Sequence, residues 1–255
     1  MITIIIALNE TWIDISTYSN RIFDPQYNIT NLKTKKLIST NINFWLLDSK
    51  IYSLFLGYKN FGFNLRYFDF GKFSYQNEFP NDEQIFTFSP FSIYTSIGKN
   101  FEVEKNLFFG FSFGYYENRI LNDVYASPFI TISSQFMPIN YLSLFFSIEN
   151  FSFKKLFSAN QIELPHVISL AFLLNFHQIN IGAGINKFYN FEKFLSFEYG
   201  LKYLNIGIIF TPDYDYSKIS GFMRLKYKSL IFGYRVYIPS YLNFANTISI
   251  NYETP

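Results

Sequence analysis

Residues 107–117 read LFFGFSFGYYE, and the two faces of this stretch decide the fold. Leu107, Phe109, Phe111, Phe113 and Tyr115 fall on alternate positions, with Phe108, Gly110, Ser112, Gly114 and Tyr116 between them. An extended strand sends successive side chains to opposite sides. One side is therefore a ladder of bulky apolar groups, and the other is mostly small or polar. In a soluble sandwich the ladder meets a dry core and the small face meets water. In a membrane barrel the ladder meets lipid and the small face lines the lumen.

The same alternation recurs along the chain. Tyr52, Leu54, Leu56 and Tyr58 share a face; Phe63, Leu65 and Tyr67 stand opposite Asn64 and Arg66. Leu142, Leu144, Phe146 and Ile148 oppose Ser143, Ser147 and Glu149. Leu195, Phe197, Tyr199, Leu201 and Tyr203 alternate with Ser196, Glu198, Gly200 and Lys202. Further on, Met223, Leu225 and Tyr227 face away from Arg224 and Lys226, and Phe232, Tyr234 and Val236 face away from Gly233 and Arg235. Starting near Leu37, the pattern predicts about fourteen strands of roughly ten residues, the length of a tilted membrane-spanning strand. Short turns are expected at Asn60, Lys99-Asn100, Asn190 and Lys228-Ser229. Longer loops are expected over 72–84, 117–126, 151–163 and 211–218. Short turns on one rim and long loops on the other suit an outer-membrane barrel. No repeat of propeller or solenoid length and no helical apolar stripe is present.

Composition points the same way. Aromatic residues make up 22% of the chain and charged residues only 16%, against about 25% charged in soluble domains. A soluble sandwich needs a charged exterior, whereas the polar faces here carry mainly Gly, Ser, Asn and Thr. Tyrosines recur at strand ends (Tyr52, Tyr58, Tyr67, Tyr115, Tyr203, Tyr227 and Tyr252), where an interfacial girdle would sit. Closure would also remove the edges of so many apolar strands. The expected fold is all-β: a closed antiparallel transmembrane β-barrel of about fourteen strands, in the outer membrane of a Gram-negative-type bacterium. Residues 37–255 are assigned to the barrel and 1–36 to an N-terminal segment, read as signal or plug region. The opening MITIIIAL reads either as the stub of a signal peptide or as a first strand. The chain has no cysteine, which excludes disulfides and thiolate metal sites. A net charge of +2 argues against a nucleic-acid partner.

No catalytic constellation is present, and no cofactor or metal is expected. His166 and His177 lack a carboxylate or second histidine at ligand spacing and read as surface or girdle residues. Asp213 and Asp215 read as a solvated hairpin tip, since an oxygen cage needs more ligands, and Asp82-Glu83 as a polar loop. Arg66, Glu149, Glu198, Lys202, Arg224, Lys226 and Arg235 fall on the polar faces and are expected to face the lumen. There they would tune a pore, hold a plug, or pair with one another across the wall. Tyr75, Phe79 and Pro80, in the loop over 72–84, are the candidate contact surface for a partner.

Four stretches carry a family resemblance. They are YFDFGKF at 67–73, IENF at 148–151, Leu164-Pro165, and GYRVYIPSYLNFANTISINY at 233–252. In these the chain resembles the PorV/PorQ group of outer-membrane proteins, related to the FadL-like barrels. It departs from the group's closing motif at Gly233, Asn243 and Ala245 to Thr247, and lacks the group's Asn-Pro-Ala segment before Leu37. The resemblance implies about fourteen strands, often with an N-terminal segment in the lumen. It implies one of two non-enzymatic roles. The first is an accessory barrel that binds a larger export or surface-assembly component. The second is a passive channel for small hydrophobic solutes. The expected partners are thus outer-membrane lipid and either such a component or such a solute.

Overall fold

The computed structural model describes residues 28–32, 36–44, 49–76, 85–121, 123–152, 164, 166–187, 191–212, 218–238 and 245–254. In chain order the strands are β1 (Lys36–Phe44), β2 (Lys50–Tyr58), β3 (Phe61–Asp69), β4 (Phe73–Gln76), β5 (Ile85–Phe88), β6 (Phe91–Glu104), β7 (Leu107–Ile120) and β8 (Asp123–Ile139). They continue with β9 (Leu142–Ser152), β10 (Val167–Phe176), β11 (Ile179–Lys187), β12 (Phe191–Gly200), β13 (Leu204–Thr211), β14 (Lys218–Tyr227), β15 (Leu230–Ile238) and β16 (Ala245–Thr254). All but β4 and β5 form one closed barrel of fourteen strands, each paired with its sequence neighbours in the wall. The two short strands form a separate hairpin between β3 and β6.

The ring closes where β1 meets β16, in antiparallel register from Lys36↔Thr254 to Phe44↔Asn246. Side chains reinforce the seam: Asn43 and Thr247 hydrogen-bond across it, and the Thr40 hydroxyl donates to the Ile250 carbonyl at 3.3 Å. Closure leaves no strand of the wall with an unpaired edge, as hydrocarbon requires.

The large exposed hydrophobics lie on the outer face. In the opening stretch Phe109, Phe111, Phe113 and Tyr115 are exposed, while Gly110, Gly114 and Tyr116 are buried. The registers carry this choice around the ring: Phe113 lies level with Ile97 and Ile130, and Gly114 with Ser96 and Phe129. A soluble sandwich would bury the aromatic ladder; here the ladder is the exterior. Among the described residues, no helix is long and apolar enough to cross a membrane.

The two rims differ. Lys59-Asn60, Lys105-Asn106, Asn140-Tyr141, His177-Gln178, Leu201 to Tyr203 and Lys228-Ser229 make tight turns on one rim. Lys59, Asn106, His177 and Lys228 take positive φ there, as two-residue hairpin connections demand. Most of the longer connections, the β4–β5 hairpin among them, lie on the other rim. On the short-turn rim, ammonium groups sit over exposed rings: Lys59 over Tyr58 at 5.4 Å, Lys202 over Tyr203 at 5.1 Å and Lys228 over Tyr227 at 5.6 Å. These are the contacts of an interfacial girdle, rings at the headgroup level with charges reaching to water.

Three expected boundaries move. Lys99-Asn100 is not a turn but the interior of β6, paired with Phe111 and Gly110, and the turn falls at Lys105-Asn106. The run Gly98-Lys99-Asn100 reads as a turn because Gly98 and Asn100 point into the lumen, where small and polar groups belong. Most of the expected loop over 117–126 is strand, with Glu117↔Ala126 and Ile120↔Asp123 in register. Backbone pairing outlasts the lipid there. Finally, β12 stops at Gly200, and Leu201 N–H donates to the Leu204 carbonyl at 2.7 Å to make the turn. The apolar alternation runs on through that turn because Tyr203 belongs to the girdle.

Ile208 sits in the lipid-facing row with Phe197 and Gly221 on the neighbouring strands. Ile208→Arg is expected to destabilise the barrel by about 2–4 kcal/mol, as for a cation near the bilayer midplane. Urea unfolding in lipid vesicles, compared with wild type, measures it.

Candidate functional site

Side chains that point inward build the lumen, and three regions of it stand out among the described residues. The first is the mouth on the long-connection rim. Ile51, Phe68, Tyr94, Tyr116, Ile120 and Phe129 converge there from five consecutive strands of the wall, β2, β3, β6, β7 and β8. Phe70 and Leu164 from the connections join them, and Phe73 and Phe88, stacked at 5.7 Å across the β4–β5 hairpin, pack on top. Tyr94 and Phe129 stack at 4.6 Å, and the Tyr116 hydroxyl donates to Ser92 Oγ at 3.1 Å. The YFDFGKF stretch directs this cap. Asp69 Oδ1 accepts from Gly71 N–H at 3.0 Å, and Gly71 takes φ 82°, which turns the chain out of β3 and into the hairpin.

The second region is the mouth on the short-turn rim. A 3-10 turn at Ile29–Asn31 lies inside the wall, capped by Asn28, whose Oδ1 accepts from Thr30 N–H at 3.1 Å. Asn28, Ile29, Thr30 and Leu32 are all buried, and Ile29 and Leu32 cluster with Leu37 and Phe55. The Leu32 carbonyl accepts from Asn100 Nδ2 at 3.4 Å. Ile29 rests on Gly62 and Gly110, and Leu32 on Gly57. A Cβ at any of these glycines would force the Ile29 or Leu32 side chain to shift.

The third region is the wall of β12 to β15, where the charged residues gather. Arg224 Nη2 donates to Glu198 Oε2 at 2.7 Å, and Asn205 Nδ2 donates to Glu198 Oε1 at 2.8 Å. Arg224 and Arg235 lie 4.8 and 5.5 Å from the ring of Phe222. Lys218 and Glu192 form a second pair at 3.1 Å. The Arg224 side chain keeps 42% of its surface exposed, so its ion pair contributes about 0–1 kcal/mol. Its effect is to hold two charges against the wall.

The residues expected in the lumen fare differently. Arg66 points inward, 4% exposed, with its guanidinium 4.9 Å from the Tyr94 ring. Glu149 is buried beside Ser147 Oγ, at a bulge where the register of β8 and β9 slips. Asn150 takes φ 59° at this bulge, and its carbonyl lies 2.9 Å from His166 Nδ1. Glu198, Arg224 and Arg235 also face inward, and Glu198 and Arg224 pair directly. Lys226 keeps the inward register but stands exposed at the rim. Lys202 is a correction: it lies in the turn after β12, exposed and over Tyr203, because the strand has already ended. Tyr75 lies in β4, while Phe79, Pro80, Asp82, Glu83, Asp213 and Asp215 lie outside the described residues. His177 occupies a tight turn.

Sequence reasoning missed the apolar cap and the Lys218–Glu192 pair. The pair was visible in principle, since both residues share the inward register of Glu198 and Arg224. The cap was not, because its members read as ordinary apolar exceptions on polar faces.

No family model matches the chain, and no curated protein matches it. Solved outer-membrane barrels do share the fold. The outer membrane protein Omp33 of Acinetobacter baumannii superposes with TM-score 0.54 at 7% identity, over 88% of this chain and 99% of Omp33. A deltaS2S3 mutant of TodX, described as a monoaromatic hydrocarbon channel, superposes with TM-score 0.60 at 7% identity, over 92% of this chain and 93% of TodX. The chain thus shares the closed-barrel fold of these outer-membrane proteins.

The ring of Phe129 lies where a Cβ on Gly114 would stand. Phe129→Ala is expected to cost about 3–5 kcal/mol. Gly114→Ala should destabilise the wild type through overpacking and cost measurably less in a Phe129→Leu background. A double-mutant cycle of unfolding free energies tests the contact.

Proposed function

We propose that this barrel is a passive channel for small hydrophobic solutes in the outer membrane of a Gram-negative-type bacterium, closed at rest by its own chain. The observation that carries the reading is the apolar, largely aromatic cap at the long-connection mouth. A pore for hydrated solutes lines its entrance with polar and charged groups. A cluster of Phe68, Phe70, Tyr94, Tyr116 and Phe129 instead offers a hydrophobic solute a site better than water. The 3-10 turn at the opposite mouth would keep water and ions from leaking while solute is absent. A fold shared with a hydrocarbon channel supports the reading without carrying it. No chemistry is required of the protein, since a solute moving down its gradient needs only a sequence of weak sites.

A second reading rests on the β4–β5 hairpin, which stands outside the barrel sheet at the long-connection mouth. Such a projection suits an accessory barrel that docks a larger export or surface-assembly component, with Tyr75, Phe79 and Pro80 as its contacts.

Cells that express the barrel should take up radiolabelled toluene faster than vector controls. Phe70→Ser should slow the uptake several-fold while the protein keeps its folded mobility on unheated gels. Wild-type uptake equal to the vector control, from correctly folded barrel, rejects the channel. Stoichiometric recovery of a larger protein with tagged barrel from native membranes would favour the accessory role.

A further inference from the structure

We infer that the outer face of β1, β2, β3 and β6 near the short-turn rim is a binding site for one anionic phospholipid. An apolar groove of about 380 Å³ opens there on the lipid-facing side, within the range of about 300–1,000 Å³ typical of ligand sites. Register explains its layout. One row across the four strands is Ile38, Leu56, Phe63 and Ile97, all exposed and apolar. The next row toward the rim is Lys36, Tyr58, Phe61 and Lys99. Acyl chains match the first row, and a phosphate matches the second.

The charges are held at the right level. Lys36 is exposed and lines the groove. Lys99 has its ammonium 4.9 Å from the rings of both Phe61 and Phe101. Lys59, in the turn directly above, lies over Tyr58 at 5.4 Å. Lys36 thus lines the groove, while Lys99 in the same row and Lys59 in the turn above are both steadied by girdle rings. Lys99 points outward from the wall, where a cation is costly unless it reaches the headgroups. A lipid phosphate meets that need. The floor is firm, because Leu32 packs against Gly57 and Ile29 against Gly62 on the inner side of the same wall. The occupant is a membrane phospholipid, since the groove faces hydrocarbon.

Full-length barrel in neutral detergent, titrated with palmitoyl-oleoyl phosphatidylglycerol or the matching phosphatidylcholine and read by native mass spectrometry, tests the site. Wild type should retain one phosphatidylglycerol with roughly tenfold preference over phosphatidylcholine, in keeping with a few lysines at an anionic headgroup. K36Q/K59Q/K99Q should bring the two lipids near parity while gel mobility stays that of folded barrel. K202Q/K228Q, which removes two ring-stacked lysines elsewhere on the same rim, should keep the preference. Equal retention of both lipids by wild type overturns the inference. So does a preference that survives the triple substitution, or one that both variants lose equally, which would mean diffuse attraction to the whole rim. If the triple variant does not fold, K36Q alone is read against the same two outcomes.

Discussion

A backbone that crosses hydrocarbon must satisfy its own hydrogen bonds, and in this chain that condition is met only when β1 pairs with β16. The seam joins residues more than two hundred positions apart along the sequence, from Lys36↔Thr254 to Phe44↔Asn246. Without it two long apolar strands would present open edges to lipid. With it, each strand has an inside and an outside, and the rest of the molecule follows from that division.

Outside, large side chains need no partner in the protein, because lipid is as apolar as they are. Inside, the same side chains must pack, and the glycines of the wall make this possible. Phe129 lies on Gly114, Phe222 on Gly207, and Phe194 so close to Gly184 that an added Cβ would stand 2.6 Å from its Cε1. These rings cover the backbone of the next strand and narrow the lumen from the wall inward. The segment at the short-turn mouth uses the same device, with Ile29 and Leu32 seated on Gly62, Gly110 and Gly57. An apolar cap at one mouth, an N-terminal turn at the other and a charged wall along β12 to β15 give the lumen two separate characters.

Much of this was legible in the residues. Alternation in LFFGFSFGYYE and its counterparts identified the strands, and the shortage of charge opposite the aromatic faces identified the solvent as lipid. Arg66, Glu149, Glu198, Arg224 and Arg235 were found because an inward residue is one that breaks the apolar face. Lys202 was misplaced for a related reason: the alternation that marks a strand continues through a girdle turn, where aromatics are favoured for their own sake. Lys99-Asn100 looked like a turn because a lumen-facing strand and a loop share the same small, polar residues.

Period-two patterning is a local property of the chain, so the residues alone establish that strands form, that about fourteen of them build the wall, and which face of each meets lipid. Which residues meet across the lumen is a different kind of fact. Arg224 reaches Glu198 because β13 lies between β12 and β14 in one particular register. Phe70, Leu164 and the hairpin residues Phe73 and Phe88 join Tyr94 in one cluster only once β2, β3, β6, β7 and β8 have paired in their registers. A shift of two residues in any pairing would leave every face correct and every luminal contact wrong. The tertiary structure alone decided those contacts, because register and closure depend on residues far apart in the chain fitting one another in space.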